Sequence, residues 1–483
     1  MKANSPMRRF RIQWLEILIL LVFFGSRVTA LDALPLHNDE GLHLSRAVEV
    51  WNLHPFFDIE DGKVAGVWLI ALFYPQSAPV FAGRIATVFV GLVGCAAGMA
   101  LARRASQRRG AGFVAGLIWL TMPYLFFFER MALADIEAGA AAVLLALALL
   151  PNVQTRRAAI LGGIALGLAL LFKVSALPFV GVPLLAILLA CGQDWRVRLW
   201  RLVLIYGIAL IIVTPASLYS ATRGGFFSIA RGWVGGPKLS ISERTTLNTA
   251  TFTDTLLTVN GLWTLALIGV PLSALVGRRG LHVLGSVLGP LAVMIVFGTE
   301  VLDRHFGVIM PLLAVVAAVG WASVRLIPGR AITALALGGA AIALAALGIW
   351  RVAYTDPSTF PMTAPMLEQY VSQHPSGYGL REAVRAFPQT VGTHPVIASM
   401  TTDGCKRARY YLPPGTSLEC TGMGAQARDR IISALQAART VYVLAEDQPV
   451  GIDPTTVGGK WTPLAVYPRP GGLSRVTLWR VTT

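Results

Sequence analysis

The chain has 483 residues, of which 55% are hydrophobic and only 14% are charged, and its mean hydropathy is +0.62. This composition excludes a set of ordinary soluble domains and indicates a membrane protein. The 41 Lys and Arg outnumber the 25 Asp and Glu, giving a net charge of +16, and the placement of that charge distinguishes a nucleic-acid partner from a lipid one.

Eleven apolar stretches predict a membrane all-α fold, a polytopic bundle of about 11 transmembrane helices. The first stretch also has features of a signal peptide, with Val28-Thr29-Ala30 as a cleavage site, although Arg27 argues against cleavage. The stretches lie at residues 12–31, 80–102, 110–128, 133–150, 158–173, 176–191, 199–219, 256–276, 281–299, 306–326 and 331–350.

The basic residues are distributed by side of the membrane. If the N-terminus is cytoplasmic, Lys and Arg concentrate in every second connection, for example Arg103-Arg104 and Arg278-Arg279, as the positive-inside rule requires. The basic excess is therefore a topology signal, and we expect membrane lipids but no nucleic acid as partners. The predicted location is the cell membrane, multi-pass, with a cytoplasmic N-terminus.

Three predicted outer segments are longer than turns: residues 32–79, 220–255 and 353–483. We expect residues 1–352 to form the transmembrane catalytic module and residues 353–483 an extracytoplasmic α/β domain. The tail shows a helical pattern at 380–387 and strand-like runs at 395–400, 440–445 and 476–481. Cys405 and Cys420 lie in this tail, either as a disulfide or as two free thiols.

Polar residues recur at the outer ends of the predicted spans, where charge is costly and indicates a functional site. The first group is His37-Asn38-Asp39-Glu40. The alternative interpretation is that Asn38 or Asp39 only caps a juxtamembrane helix. The second group runs from Glu129 through Arg130 to Asp135. The alternative interpretation is that these residues form a structural ion pair. The same face carries the cations Lys63, Arg84, Lys173 and Arg304, with His305 beside the last. Each of them could instead only anchor its helix by extending its charged end to the membrane surface.

Carboxylates beside several cations, facing a membrane-embedded anion, fit the transfer of a group from a lipid phosphate to a hydroxyl or amine. A carboxylate takes the acceptor's proton, and the cations hold the departing phosphate. The sequence has no P-loop pattern and no H-E-x-x-H motif, which disfavours nucleotide-driven transport and zinc hydrolysis.

These segments resemble the glycosyltransferase C superfamily, specifically the glycosyltransferase family 39-like branch of protein O-mannosyltransferases and bacterial lipid A aminoarabinose transferases. The resemblance runs from about residue 12 to residue 350, and its most specific match is the arginine-x-alanine-leucine-x-aspartate motif. It rests on Asn38 to Gly41, Asp58 to Pro75, Phe81 to Arg84, Glu129 to Asp135, Lys173, and Arg304 to Leu313.

The resemblance implies a glycosyltransferase with a polyprenyl-phosphate-linked sugar as donor and single-displacement inversion. It implies Asp39 as base, with Asp135 and Glu40 as further catalytic residues. Lys63, Arg84, Arg130, Lys173, Arg304 and His305 would bind the donor phosphate. No cofactor is certain; some relatives bind a divalent metal, for which the candidate ligands are His37, Asp39 and His43.

The acceptor is left open as a lipid, a protein or a polysaccharide. The main alternative is a transporter or flippase of lipid-linked sugars, which would be expected to contain internal repeats that the sequence does not show. A third interpretation is a non-catalytic scaffold that presents the tail, in which case Asp39 would be dispensable.

Overall fold

The computed structural model describes residues 6–59, 62–73, 78–150, 155–190, 194–221, 239–299, 301–324, 330–447 and 451–483. The chain is mostly helical and ends in a small sheet. Residues 222–238 of the predicted outer segment at 220–255 lie outside the described residues, as does part of the Asp58 to Pro75 stretch.

The first part of the chain is a bundle of α-helices with shorter 3-10 and π segments between them. The α-helices are α1 (Pro6–Val28), α2 (Asn38–Trp51), α3 (Val64–Leu72), α4 (Pro79–Ser106), α5 (Gly110–Thr121), α6 (Pro123–Phe128), α7 (Ala134–Ala148), α8 (Arg156–Phe172), α9 (Gly181–Leu189), α10 (Trp195–Ala221), α11 (Ile241–Asp254), α12 (Gly269–Leu272), α13 (Arg278–Phe297), α14 (Met310–Ser323) and α15 (Arg330–Thr355).

Three helices of the described part are long and apolar enough to cross a membrane: α4, α10 and α13. A fourth span is possible if Ile241–Val259 and Gly261–Val276, which bend by 111°, act as one. The chain is thus a multi-pass membrane protein, but the count of eleven spans is not confirmed.

Prolines explain why several predicted stretches are divided. The stretch at 110–128 breaks at Met122, whose ψ of 118° is extended, because the ring of Pro123 disfavours helical geometry in the residue before it. Val174–Val180 is a 3-10 segment containing Pro178. Helices α5, α9 and α14 therefore fall short of the length that a full span requires.

The C-terminal region combines helices with a sheet, as expected of an α/β region, and the sheet has five strands in the order β2-β1-β3-β5-β4. The strands are β1 (Val396–Ser399), β2 (Leu418–Cys420), β3 (Thr440–Glu446), β4 (Lys460–Pro468) and β5 (Arg475–Thr482), and β2 and β4 were not predicted. Strand β1 is parallel to β2 and β3, and β5 is antiparallel to β3 and β4. The helices are α16 (Ala364–Leu367), α17 (Leu380–Arg385), α18 (Phe387–Thr390), α19 (Thr402–Arg409) and α20 (Ala425–Ala437).

The juxtamembrane helices and the C-terminal region share one hydrophobic core. Leu36, Leu44 and Ala47 at α2 pack in the same cluster as Leu380 and Leu444 of the C-terminal region. Cys405 of α19 is joined to Cys420 of β2 by a disulfide, which settles the alternative left open by the sequence. The start of α2 is therefore enclosed from both parts of the molecule.

Candidate active site

The candidate site begins at the first turn of α2. His37 is the N-cap: its Nδ1 accepts a hydrogen bond from the Asp39 backbone N–H at 3.2 Å, and the Glu40 carboxylate accepts one from the His37 N–H at 2.9 Å. This reciprocal capping fixes where the helix starts. Because successive residues in a helix are about 100° apart, Asp39 and Glu40 point to different surroundings.

Asp39 lies between two cations that come from distant parts of the chain. Its Oδ2 is 3.2 Å from Lys63 Nζ and 2.8 Å from Arg304 Nη1. The three side chains are 22%, 12% and 16% exposed, respectively, so the group is largely enclosed yet still open to a ligand. Lys63 precedes α3, and Arg304 lies in a 3-10 turn at Asp303–Val308.

The electrostatics of this group keep Asp39 ionised. Burial by itself would raise the pKa of Asp39, but Lys63 and Arg304 outweigh burial and hold it well below its usual value. Burial lowers the pKa of His37 well below its usual value, so that imidazole is neutral at pH 7 and suited to accept the capping hydrogen bond.

A second ion pair lies beside the first. Asp135, in the first turn of α7, pairs with Lys173, which follows α8, and both are at least nine-tenths buried. The turn that carries Arg304 approaches this pair closely because residue 307 is glycine: a Cβ there would lie 2.8 Å from the Asp135 Cβ. His305 Nδ1 accepts a hydrogen bond from the Leu302 N–H at 3.2 Å within the same turn.

Glu40 and Arg84 form a separate, closed ion pair. Arg84 Nη2 and Nε lie 2.7 and 2.8 Å from the two carboxylate oxygens, and the remaining guanidinium hydrogens go to carbonyls of residues 31, 34 and 35. Glu40 also accepts from the Ala132 N–H at 2.8 Å. Both side chains are at most 1% exposed. This pair fastens the loop before α2 and leaves no group open to a substrate.

The charged residues of the predicted pocket at Glu129–Asp135 point to different surroundings and do not form one pocket. Arg130 donates to the carbonyls of Thr29 and Ala30 at the end of α1 and lies 4.8 Å from the ring centre of Tyr354. Glu129 forms a fully buried pair with Arg27 at 2.8 Å. Asp135 is therefore the one charged side chain of this segment that lies beside the Asp39 group.

Sequence reasoning missed Tyr370, which comes from a π-helical turn at Glu368–Ser372 in the C-terminal region. Its ring centre is 4.9 Å from that of His37, and the side chain is buried. The Tyr370 hydroxyl faces the Arg304 guanidinium, close enough for the two side chains to interact through a hydrogen bond. No motif marks this tyrosine, because its position depends on how the C-terminal region folds back.

The three side chains considered as metal ligands do not converge. Among the described residues, no group of three or more His, Cys, Asp or Glu is arranged to hold a metal ion. His37 Nδ1 serves the helix cap, and His43 Nδ1 is 2.7 Å from the Ala132 carbonyl oxygen.

Two solved structures share this fold. ArnT from Cupriavidus metallidurans, bound to undecaprenyl phosphate, is 17% identical with a TM-score of 0.65, and the match covers 97% of each chain. A mutant of the mycobacterial arabinofuranosyltransferase AftD is 13% identical with a TM-score of 0.50; the match covers all of this chain and 42% of that one. Both are members of the glycosyltransferase C superfamily, so the resemblance in fold is confirmed, whereas the number of membrane spans is not. No family model and no curated protein matches the sequence.

Proposed function

We propose that the protein is a membrane glycosyltransferase that moves a sugar from a polyprenyl-phosphate donor to a hydroxyl or amine. The observation that carries the proposal is the enclosed carboxylate of Asp39 between Lys63 and Arg304. The shared fold with ArnT, which was solved with undecaprenyl phosphate, supports the choice of donor.

The donor phosphate binds to the cations that now surround the carboxylates. Arg304 and Lys63 are partly accessible and bring donors suited to phosphate oxygens. Lys173 and His305 belong to the same group, and the Tyr370 hydroxyl, which faces Arg304, offers a further hydrogen bond.

The reaction is a single displacement at the anomeric carbon. The acceptor oxygen or nitrogen forms a bond to that carbon as the bond to the phosphate oxygen breaks, and the electron pair leaves with polyprenyl phosphate. Asp39 takes the acceptor's proton, and the cations stabilise the charge on the departing phosphate. Attack opposite to the leaving group inverts the configuration. Asp135, held by Lys173, positions the sugar or the acceptor.

Donor binding also activates the base in this mechanism. Without donor, Lys63 and Arg304 hold the pKa of Asp39 well below its usual value, which makes the carboxylate a poor proton acceptor. A bound phosphate competes for both cations and adds negative charge nearby, and each change raises the pKa of Asp39. The base thus becomes effective only when the sugar to be transferred is present.

Glu40, Arg84 and Arg130 support the site without touching the substrate. Glu40 and Arg84 use their charged groups on each other and on backbone atoms, and Arg130 is directed at the end of α1. We therefore assign these three residues to positioning. The reaction takes place on the outer face, with residues 1–352 as the membrane module and residues 353–483 as an extracytoplasmic domain. The acceptor is a lipid, a protein or a polysaccharide.

The test is release of polyprenyl phosphate from a panel of polyprenyl-phosphate sugars, with cell-envelope extract as acceptor. The purified protein is compared with its Asp39→Asn variant. We expect release that depends on Asp39 and an inverted linkage in the product. Donor binding without release by the wild type would contradict the proposal and favour a flippase.

A further inference from the structure

The C-terminal region forms hydrogen bonds with the residues just before Asp39. The Tyr411 hydroxyl accepts a hydrogen bond from the Leu36 N–H at 2.6 Å, and Arg407 Nη1 lies 3.4 Å from the Leu36 carbonyl oxygen. The Asn38 amide donates to Asp403 at 3.4 Å. Asp403 and Arg407 belong to α19, and Tyr411 follows it directly.

Glycine at position 41 seats α2 directly on Arg407. A Cβ at Gly41 would overlap the Arg407 Cγ and would lie 3.3 Å from the Arg407 Cα. No larger residue fits without displacing either the helix or the arginine. Position 41 lies two residues beyond Asp39, so a shift of this contact moves the first turn of α2.

Arg407 is itself fixed from the other side. Its side chain is 0% exposed, and it donates to the carbonyls of His374 and Pro375 at 2.8 Å. Its Nη2 lies 3.8 Å from Glu446 on β3. The Cys405–Cys420 disulfide joins the same helix to β2, so α19 is anchored to the sheet at two points.

We propose that α19 positions the catalytic base. Arg407 is the positioning residue that holds Asp39 against Lys63 and Arg304. This inference rests on the proposed function, because it takes Asp39 as the base. The C-terminal region then does more than cover the membrane module, since it sets the geometry of the proton acceptor.

Arg469 provides a matched control. It is also buried and shares Glu446 with Arg407, at 2.6 Å, but its other hydrogen bonds go to Tyr378 and Ser474. Within the described residues, no hydrogen bond links Arg469 to residues 36–41. Substitution of either arginine disturbs the same buried carboxylate, whereas only Arg407 contacts α2.

The experiment compares full-length Arg407→Lys, Gly41→Ala and Arg469→Lys with the wild type in lipid nanodiscs. Lysine keeps the charge but cannot reach several carbonyls at once. We expect Arg407→Lys and Gly41→Ala to lower kcat by about tenfold or more, as misplacement of a reacting group does, with donor KM nearly unchanged. The acidic limb of the pH profile of kcat/KM should move to higher pH, because Asp39 moves away from its two cations and its pKa rises. Arg469→Lys should have the same kcat as the wild type and the same position of the acidic limb.

Hydrogen exchange of the peptide covering residues 36–44 tests the anchor without turnover. It should speed up in Arg407→Lys and Gly41→Ala but not in Arg469→Lys. Equal losses of kcat in both arginine variants, or an unchanged acidic limb in Arg407→Lys, would overturn the proposal. If Arg407→Lys does not fold, Gly41→Ala decides, because it alters the same contact from the helix side. Absence of transfer by the wild type would instead contradict the proposed function, and exchange would still show whether Arg407 fixes these residues.

Discussion

Asp39 and Glu40 are adjacent in the chain and both pair with basic residues, yet their surroundings differ. Glu40 and Arg84 are at most 1% exposed and are saturated by each other and by backbone groups, whereas Asp39 is 22% exposed between two cations that are also accessible. The Glu40–Arg84 pair has no group left for a ligand, whereas the Asp39 group can still be reached by one. The two carboxylates therefore differ less in charge than in whether their hydrogen-bonding positions are already filled by protein groups.

The largest effect should come from Asp39→Asn. The amide is close in size to the carboxylate but cannot take the acceptor's proton, so we expect turnover to fall by about a thousandfold or more. Donor binding should be retained or become tighter, because the phosphate cations stay in place and no longer pair with a carboxylate. Transfer rates and donor titration measure the two quantities; turnover close to that of the wild type would remove Asp39 as the base.

Opening the closed pair should affect stability instead. Arg84→Leu leaves Glu40 buried without its partner, which costs about 3–5 kcal/mol. Thermal unfolding in detergent should show a clear drop in Tm relative to the wild type. The matched variant Asp39→Asn should unfold near the wild-type temperature, and equal drops in both variants would invalidate the distinction between the two pairs.

Arg304→Gln should weaken donor binding by about 10- to 100-fold, which corresponds to the loss of one charge-assisted hydrogen-bonding group. Donor titration measures this effect. Lys63→Gln is the parallel variant for the second cation. A wild-type donor affinity in both variants would place the phosphate elsewhere.

The pH profile sharpens the same comparison. Because the pKa of Asp39 is lowered by its two cations, the carboxylate is ionised throughout the neutral range, and kcat/KM should fall only as the pH drops through that lowered pKa. Arg304→Gln removes one of the cations, so its acidic limb should move to higher pH. An identical limb in both proteins would argue that another group governs it.

The smallest effect on donor binding is expected for Arg130→Lys. Arg130 donates to the Ala30 carbonyl just after α1 and lies over the Tyr354 ring. The donor affinity should stay within about twofold of the wild type, as for a residue outside the binding group. A loss as large as that of Arg304→Gln would return Arg130 to the phosphate site.

The sequence by itself determined the membrane character, the mixed α/β composition of the C-terminal region and the segments that carry the candidate site. It also indicated a helix cap near the start of α2, with Asn38 or Asp39 as the candidate cap, whereas the N-cap in the structure is His37, which forms a capping box with Glu40, a local interaction. The break at Pro123 is local as well, although apolar length alone does not indicate it.

Only the tertiary structure decided which acid meets which base. Asp39 pairs with residues 24 and 265 positions away, whereas the neighbouring Glu40 turns to Arg84. Such pairings depend on how helices pack, and charge spacing along the chain does not encode packing distances. Tyr370 and Arg407 could not be found from sequence for the same reason, since both reach the site only after the C-terminal region folds back onto α2.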